Sequence, residues 1–294
     1  MGKLLWTERQ DIGPSARNGH AMAYDGARQQ VTLFGGVTGS TSRVSDTWVW
    51  DGQLWTQAQD TGPPARMNHA LAFDNNRERI VLFSGAGDKP LADTWEWDGT
   101  EWTQVADTGP SARTGHALTF DSKSKRVVLF GGQSDFPVGD TWSWDGTEWT
   151  QEADTGPKPR LQHSLAYDTI RERVVLFSGW AAVNDTWEWD GSQWRQVADT
   201  GSAPRYAHRM VFDGAHVLLF GGQGQSLPQG QSAPIFGDTW SWDGKHWTQV
   251  QDIGPGGRMY HAMAYDSNRS RTVLFGGLGS AGNRGDTWEL YEHS

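Results

Sequence analysis

Arginine and histidine recur together along the chain at a spacing that could bring them to one place. The pattern Arg-x-x-His occurs six times, and its arginines are Arg17, Arg66, Arg113, Arg160, Arg205 and Arg258. Six guanidinium groups around one axis could bind an anion, and six imidazoles could hold a metal ion. Identical histidines at one repeated position are better explained by a role in ordering backbone turns. We therefore predict no metal site and no cofactor.

A second pattern, Asp-x-Trp, which is Asp-Thr-Trp in every copy, shares this count. Asp-x-Trp occurs six times, and its aspartates are Asp46, Asp93, Asp140, Asp185, Asp238 and Asp286. Successive copies of both patterns lie 45 to 53 residues apart, which indicates six structural repeats. The arginine and the aspartate fall at the same end of each repeat. We predict that they pair through two parallel hydrogen bonds, a structural role that competes with the anion-binding one.

One repeat, residues 66–106, contains four segments with the character of strands. The third holds Trp95 and Trp97, and an Asp-Gly pair before the fourth supplies the positive φ values of a tight hairpin. Tryptophans two residues apart lie on one face of a strand, and only a neighbouring repeat can bury that face. The residue between them, here Glu96, is expected on a more solvated face.

The two ends of the chain carry complementary parts of a repeat. Residues 4–9 resemble a fourth strand, and residues 286–291 resemble a third strand with no fourth after it. We predict that these two segments pair and close the ring of repeats. Residues 1–294 would then form one all-β domain, a β-propeller with six blades of four antiparallel strands.

The repeated residues resemble the Kelch motif. Each repeat has Arg-x-x-His, a β run that ends on Gly-Gly or Ser-Gly, then Asp-x-Trp and a late Trp. The resemblance spans the whole chain and is similar to bacterial Kelch and galactose-oxidase-like propellers. It implies a six-bladed propeller with ligands at the face that carries the turns before Arg-x-x-His and the loops after Gly-Gly. Galactose oxidase needs a cysteine-crosslinked tyrosine beside copper, and this chain has no cysteine, so that activity is not expected.

Composition narrows the class of partner. The net charge is −10, which argues against nucleic acid and acidic membranes as partners, although most of the 35 acidic residues occupy repeated positions. No apolar run is long enough for a transmembrane helix, and the first residues lack a secretory signal. We expect a soluble monomer, and the cellular location stays undetermined.

Ligand recognition is expected where the repeats differ from one another. The variable positions lie inside Arg-x-x-His, after the paired glycines and after the histidine. Aromatic rings beside amides suit a sugar or a peptide, whereas unselected variation in exposed loops would produce the same pattern. The candidate ligand-binding residues are Asn68, Gln133, Gln162, Trp180, Tyr206, Arg209, Gln223 and Tyr260.

Three hypotheses of function follow. The first is a non-catalytic binding or scaffold module that recognises a carbohydrate, a peptide or a protein at this face. The second is an isomerase or lyase acting on a sugar-like substrate, with acid–base groups drawn from Tyr206, Arg209, Tyr260, Asp88 and Asp135. The third is an engineered or excised scaffold without a native ligand, which the absence of cysteine permits.

Overall fold

The computed structural model describes residues 3–9, 12–180, 183–225 and 232–293. All regular structure within these residues is β, and it includes six four-stranded antiparallel sheets. The all-β class and the four-stranded antiparallel blades that the sequence predicts are confirmed. No helix in the described ranges is long and apolar enough to cross a membrane.

Each sheet is one blade, whose four strands follow one another from the central axis outward. In chain order, blades 1 to 3 comprise Ala21–Asp25, Gln30–Phe34, Thr47–Trp50 and Trp55–Gln59; Ala70–Asp74, Arg79–Phe83, Thr94–Trp97 and Trp102–Ala106; Ala117–Asp121, Arg126–Phe130, Thr141–Trp144 and Trp149–Ala153. Blades 4 and 5 comprise Ser164–Asp168, Arg173–Phe177, Thr186–Trp189 and Trp194–Ala198; Arg209–Phe212, Val217–Phe220, Thr239–Trp242 and Trp247–Gln251.

Blade 6 is built from both ends of the described chain. Its first three strands are Ala262–Asp266, Arg271–Phe275 and Thr287–His293, and its outer strand is Lys3–Glu8. The outer strand runs antiparallel to Thr287–His293, with Leu4 opposite Glu292 and Glu8 opposite Trp288. The two strands span Lys3–Glu8 and Thr287–His293, where the sequence indicated residues 4–9 and 286–291.

Several short strands lie at one face of the ring. Arg17–Asn18, Val37–Thr38 and Ser42–Arg43 form a three-stranded sheet, and Leu278–Gly279 pairs with Gly282–Asn283. We call this face, which carries the turns before Arg-x-x-His and the loops after the paired glycines, the upper face. Residues 226–231, inside the longest of these loops, lie outside the described residues.

Tryptophan forms the packing between blades. Trp144 and Trp149 of blade 3 pack against Val81 and Phe83 of blade 2, and the same arrangement recurs around the ring. Blade 1 packs in this way against blade 6, where Trp55 meets Phe275 edge-on at 5.3 Å. A tryptophan buries about 150–250 Å² of surface, and exposing it to water would be unfavourable. Each blade therefore covers the tryptophan-bearing face of its neighbour.

The residue between the paired tryptophans is more buried than the sequence suggested. Glu96, Ser143 and Glu289, the last of which lies between Trp288 and Leu290, are all at most 8% exposed, so the expectation of a solvated face is wrong at these positions. The reason is a polar network between blades: Glu96 accepts hydrogen bonds from Arg77 at 2.6 Å and from the indole of Trp144 at 3.0 Å.

A hydrogen bond also joins each outer-strand tryptophan to the preceding blade. The indole Nε1 of Trp102, for example, donates to the hydroxyl of Thr47 at 2.9 Å, and both residues are buried. The other five pairs, donor first, are Trp149–Thr94, Trp194–Thr141, Trp247–Thr186, Trp6–Thr239 and Trp55–Thr287. The threonine of Asp-Thr-Trp is therefore an interblade contact.

Candidate functional site

The six repeated arginines are bound to the six repeated aspartates. Arg66 donates from Nη1 and Nη2 to the two carboxylate oxygens of Asp93, both at 2.7 Å, and from Nη1 to the carbonyl of Ser84. Its Nε donates to the carbonyl of Pro64. The same pairs recur as Arg17–Asp46, Arg113–Asp140, Arg160–Asp185, Arg205–Asp238 and Arg258–Asp286. The guanidinium groups are therefore already occupied, and they do not form an open anion site.

Each aspartate of these pairs is held in its ionised form. Burial by itself would raise the pKa of Asp93, but the hydrogen bond and charge of Arg66 outweigh it and lower that pKa below its usual value. The indole of Trp95 also donates to Asp93 at 2.7 Å. The pair thus fixes the start of the third strand to the turn before Arg-x-x-His.

The six histidines are buried and neutral. Nε2 of His116 lies 3.1 Å from the carbonyl oxygen of Phe83 in the preceding blade, so Nε2 carries the proton and donates it. Burial, reinforced by the charge of Arg113, lowers the pKa of His116 to about 3. In the described part of the chain, no group of three or more His, Asp or Glu side chains has an arrangement that could hold a metal ion.

A closed ring of backbone hydrogen bonds covers the axis at the upper face. The second variable residue of each Arg-x-x-His donates its N–H to the carbonyl of its counterpart in the preceding blade, at 2.6 to 3.0 Å. All six have φ values between 54° and 66°, which turns their N–H and C=O groups around the axis. The members of this backbone ring are Gly19, Asn68, Gly115, Gln162, Ala207 and Tyr260.

Five of the eight candidate residues lie near one another above blades 4 to 6. The rings of Trp180 and Tyr206 meet edge-on at 4.6 Å, and the Tyr206 hydroxyl donates to Gln223 Oε1. Gln162 Nε2 donates to the hydroxyl of Tyr260 at 2.6 Å. Burial, with the nearby Tyr206 phenol, raises the pKa of Tyr260. This group of side chains is the upper aromatic cluster.

The remaining candidates lie elsewhere. Asn68 belongs to the backbone ring on the blade 2 side, and Gln133 is an exposed residue of blade 3 whose backbone pairs with Thr114. Asp88 is fully exposed at 3.6 Å from Arg43, and Asp135 is exposed as well. The two carboxylates proposed for acid–base chemistry are therefore in water.

Arg209 does not share the exposed upper face with Trp180, so the expectation that all eight candidates converge there is wrong for this residue. It is the first residue of the blade 5 inner strand and borders a central channel of about 480 Å³ that the inner strands enclose. A cavity of about 10 Å³ separates it from the backbone ring. The position of Arg209 follows from its strand, because residues that begin an inner strand surround the propeller axis.

The sequence predicted a binding face at one mouth of the propeller pore, but it gave no indication of a channel that opens at the opposite face. It is lined by the six inner strands and reaches the turns that follow them, whose first residues are exposed at the face opposite the upper one. One signal did mark it: Arg209 replaces the alanine or serine that follows the histidine in the other five repeats. This exception in the repeat identified Arg209, but it did not indicate the face of the propeller from which a ligand could approach the residue.

Known proteins resemble this chain in fold and in motif. The family model described as the KLHDC2/KLHL20/DRC7 Kelch-repeats domain matches residues 2–179. A solved structure titled "Structure of YjhT" is similar with a TM-score of 0.76, covering 97% of this chain and 96% of that chain at 14% identity. Identity this low supports the fold alone. No curated protein sequence matches the chain.

The Kelch resemblance in the sequence is therefore confirmed. The matched residues extend over more than half of the chain and include the repeated Arg-x-x-His, Gly-Gly and Asp-x-Trp patterns of the first blades. This protein belongs to the KLHDC2/KLHL20/DRC7 Kelch-repeat family of β-propellers.

Proposed function

We propose that this protein is a non-catalytic binding module that takes a carbohydrate or a peptide at the upper aromatic cluster. The Kelch propeller fold suggests a binding or scaffold role in general terms. The finer assignment is carried by one observation: Trp180 is 54% exposed although its ring packs against Tyr206. All other tryptophans in the described residues are buried or half-buried between blades.

The cluster combines two kinds of contact that such ligands use. The indole of Trp180 offers a flat apolar surface, which stacks on the face of a sugar ring or on an aliphatic or aromatic side chain. Gln223 and Gln162 contribute amide groups to the cluster, where they bond to Tyr206 and Tyr260. Amide groups of this kind can also bond to hydroxyl groups or to a peptide backbone. We further propose that residues 1–294 act as one monomeric propeller domain, with neither nucleic acid nor a membrane as partner.

The enzyme hypothesis loses support from the position of its carboxylates. General acid–base catalysis needs a group whose surroundings tune its proton affinity and hold it against the substrate. Asp88 and Asp135 are exposed in separate upper loops, and neither borders the central channel. A binding role therefore explains the upper aromatic cluster with fewer assumptions.

Glycan and peptide arrays test this proposal. Fluorescently labelled wild-type protein is applied to both, and each hit is measured in solution by titration. We expect Trp180→Ala to weaken binding of the hit by about 30-fold or more, since a central aromatic residue of an interface contributes roughly 2 kcal/mol or more.

Phe136→Ala is the matched control. Phe136 is 78% exposed in the corresponding loop of blade 3 and lies outside the cluster. It should bind the hit as the wild type does. Equal binding by Trp180→Ala and the wild type would rule out the upper aromatic cluster as the binding site.

A further inference from the structure

Arg209 is an exception in an otherwise uniform column of small residues. The residue after the histidine is Ala21, Ala70, Ala117, Ser164, Arg209 and Ala262 in blades 1 to 6. These positions border the central channel, so blade 5 places a guanidinium group where the other blades place a methyl or hydroxymethyl group. A charged side chain at such a position has to be compensated by something.

Among the described residues, no carboxylate forms a salt bridge with this guanidinium. Arg209 Nη1 donates to the carbonyl oxygen of His208 at 3.0 Å. None of the residues that line the channel is Asp or Glu, and no salt bridge of Arg209 occurs among the residues that the structure describes. By contrast, Arg205, four residues earlier, holds both oxygens of Asp238.

The other polar groups around Arg209 carry no negative charge at neutral pH. Burial lowers the pKa values of His163, His208 and His261, which keeps these imidazoles neutral. The Tyr260 hydroxyl is neutral too, because burial raises its pKa. Burial also lowers the pKa of Arg209 to about 10, a value at which the guanidinium still keeps its charge at pH 7.

The channel is open at the end away from Arg209. Above Arg209, the backbone ring closes the axis with six hydrogen bonds. At the far end the channel is bordered by residues that are all exposed: Gly26, Asn75, Ser122, Thr169, Gly214 and Ser267. In the part of the chain that the structure describes, the channel therefore opens at the face opposite the upper aromatic cluster, and Arg209 lies at its closed end.

We propose that the central channel binds a small organic carboxylate, whose carboxylate pairs with Arg209 while its apolar body lies along the inner strands. A volume of about 480 Å³ falls within the range of small-molecule sites, which is roughly 300–1,000 Å³. The wall between the two ends consists mainly of apolar side chains, such as Met22, Leu71 and Val211, which favour an organic over a strongly hydrated inorganic anion. The channel is entered from the face opposite Trp180, and at its closed end Arg209 lies near Tyr260, which belongs to both the upper aromatic cluster and the backbone ring.

Benzoate and its neutral analogue benzamide test the proposal on the full chain. Thermal unfolding is followed by tryptophan fluorescence, and binding by calorimetric titration. Benzoate at about ten times its dissociation constant should raise the unfolding midpoint by roughly 2 °C, whereas benzamide should leave it unchanged. Equal shifts with both compounds, or with sodium chloride at the same concentration as benzoate, would overturn the proposal.

Two variants show whether Arg209 is responsible. Arg209→Ala restores the residue found in most blades, so it should fold, and it should bind benzoate about 10- to 100-fold more weakly, as expected for loss of a charge-assisted contact. Arg209→Lys keeps the charge and should retain part of the affinity. Undiminished benzoate binding by folded Arg209→Ala would refute the assignment.

Two further variants serve as controls. Arg195→Ala removes an exposed arginine of the blade 4 outer strand and should bind benzoate normally. Trp180→Ala should also bind it normally, because the Trp180 side chain is exposed at the upper face and does not line the channel. Loss of benzoate binding in Trp180→Ala would contradict a separate channel site, and this result is independent of the array experiment.

Discussion

The indole of Trp102 donates a hydrogen bond to the hydroxyl of Thr47 across the boundary between blades 2 and 1, at 2.9 Å. Both side chains are buried, so water cannot replace either partner. The bond joins the outer strand of one blade to the third strand of the preceding blade, and it is repeated at each of the six boundaries. It explains why threonine, and not merely any β-branched residue, follows the repeated aspartate.

Thr47→Val should lower the free energy of unfolding by about 1–3 kcal/mol. Valine keeps the shape of threonine but leaves the Trp102 N–H buried without an acceptor. Urea denaturation measures the change. Thr56→Val alters an exposed threonine of the same blade and should have little effect. Equal stability of the two variants would show that the interblade bond contributes nothing.

Asp93→Asn should be among the most damaging single substitutions. Arg66 is fully buried, and the amide cannot neutralise its charge, so we expect a loss of about 3 kcal/mol or more in unfolding free energy. The unfolding free energies of Asp93→Asn and Asp88→Asn are compared by chemical denaturation. Asp88 is an exposed partner of Arg43, so its replacement should leave stability unchanged. A mild effect of Asp93→Asn would argue that the repeated pairs are dispensable.

Acid should destabilise the fold through the buried histidines. The pKa of His116 is lowered to about 3 in the folded protein because burial disfavours its charged form, whereas an unfolded histidine titrates near 6.5. Above pH 6.5 the histidine is neutral in both states, and the folded state has its full stability. As the pH falls from 6.5 towards 3, the unfolded state takes up a proton that the folded state does not, so the free energy of unfolding decreases.

Calorimetry in buffers of different ionisation enthalpy can count the protons taken up on unfolding. At pH 5 we expect an uptake close to one proton for each of the six repeated histidines, since all six are lowered in pKa. The paired aspartates act in the same direction at lower pH, because their lowered pKa values stabilise the fold above pH 4. An uptake near zero at pH 5 would mean that the histidines are accessible to protons in the folded state.

Glu96→Ser should also destabilise the protein, by about 1–3 kcal/mol. Serine occupies the same position in blade 3, but in blade 2 it is too short to accept from both Arg77 and Trp144, which would be left partly unpaired. Chemical denaturation measures the unfolding free energies of Glu96→Ser and of the control Glu101→Ser, which alters an exposed position of the same blade. A smaller effect at Glu96 than at Glu101 would exclude the network as a source of stability.

Much of the architecture was predictable because it is repeated. Six copies of Asp-x-Trp and Arg-x-x-His set the number of repeats, and the alternation of Trp95 and Trp97 identified the face that a neighbour must cover. The position of the arginine and aspartate in each repeat pointed to the pairs that the structure contains. Repetition makes such inferences strong, because each pattern is observed several times in one chain.

The burial of Glu96 could not be anticipated in this way. Its neighbours Arg77 and Trp144 lie in the preceding turn and in the next blade, and only the packing of two blades brings both to one carboxylate. Residue type alone indicated a solvated side chain. A buried charge becomes acceptable only when its partners are in place.

The sequence by itself determined the repeat, the strand order and the residues that differ between blades. Only the tertiary structure decided which of those residues meet. Trp180 and Tyr206 converge because adjacent blades place their upper loops side by side, whereas Arg209 begins the inner strand of blade 5 and borders the central channel. The physical reason is that the backbone ring divides the axis: hydrogen bonds between six distant segments close one end and leave the other open.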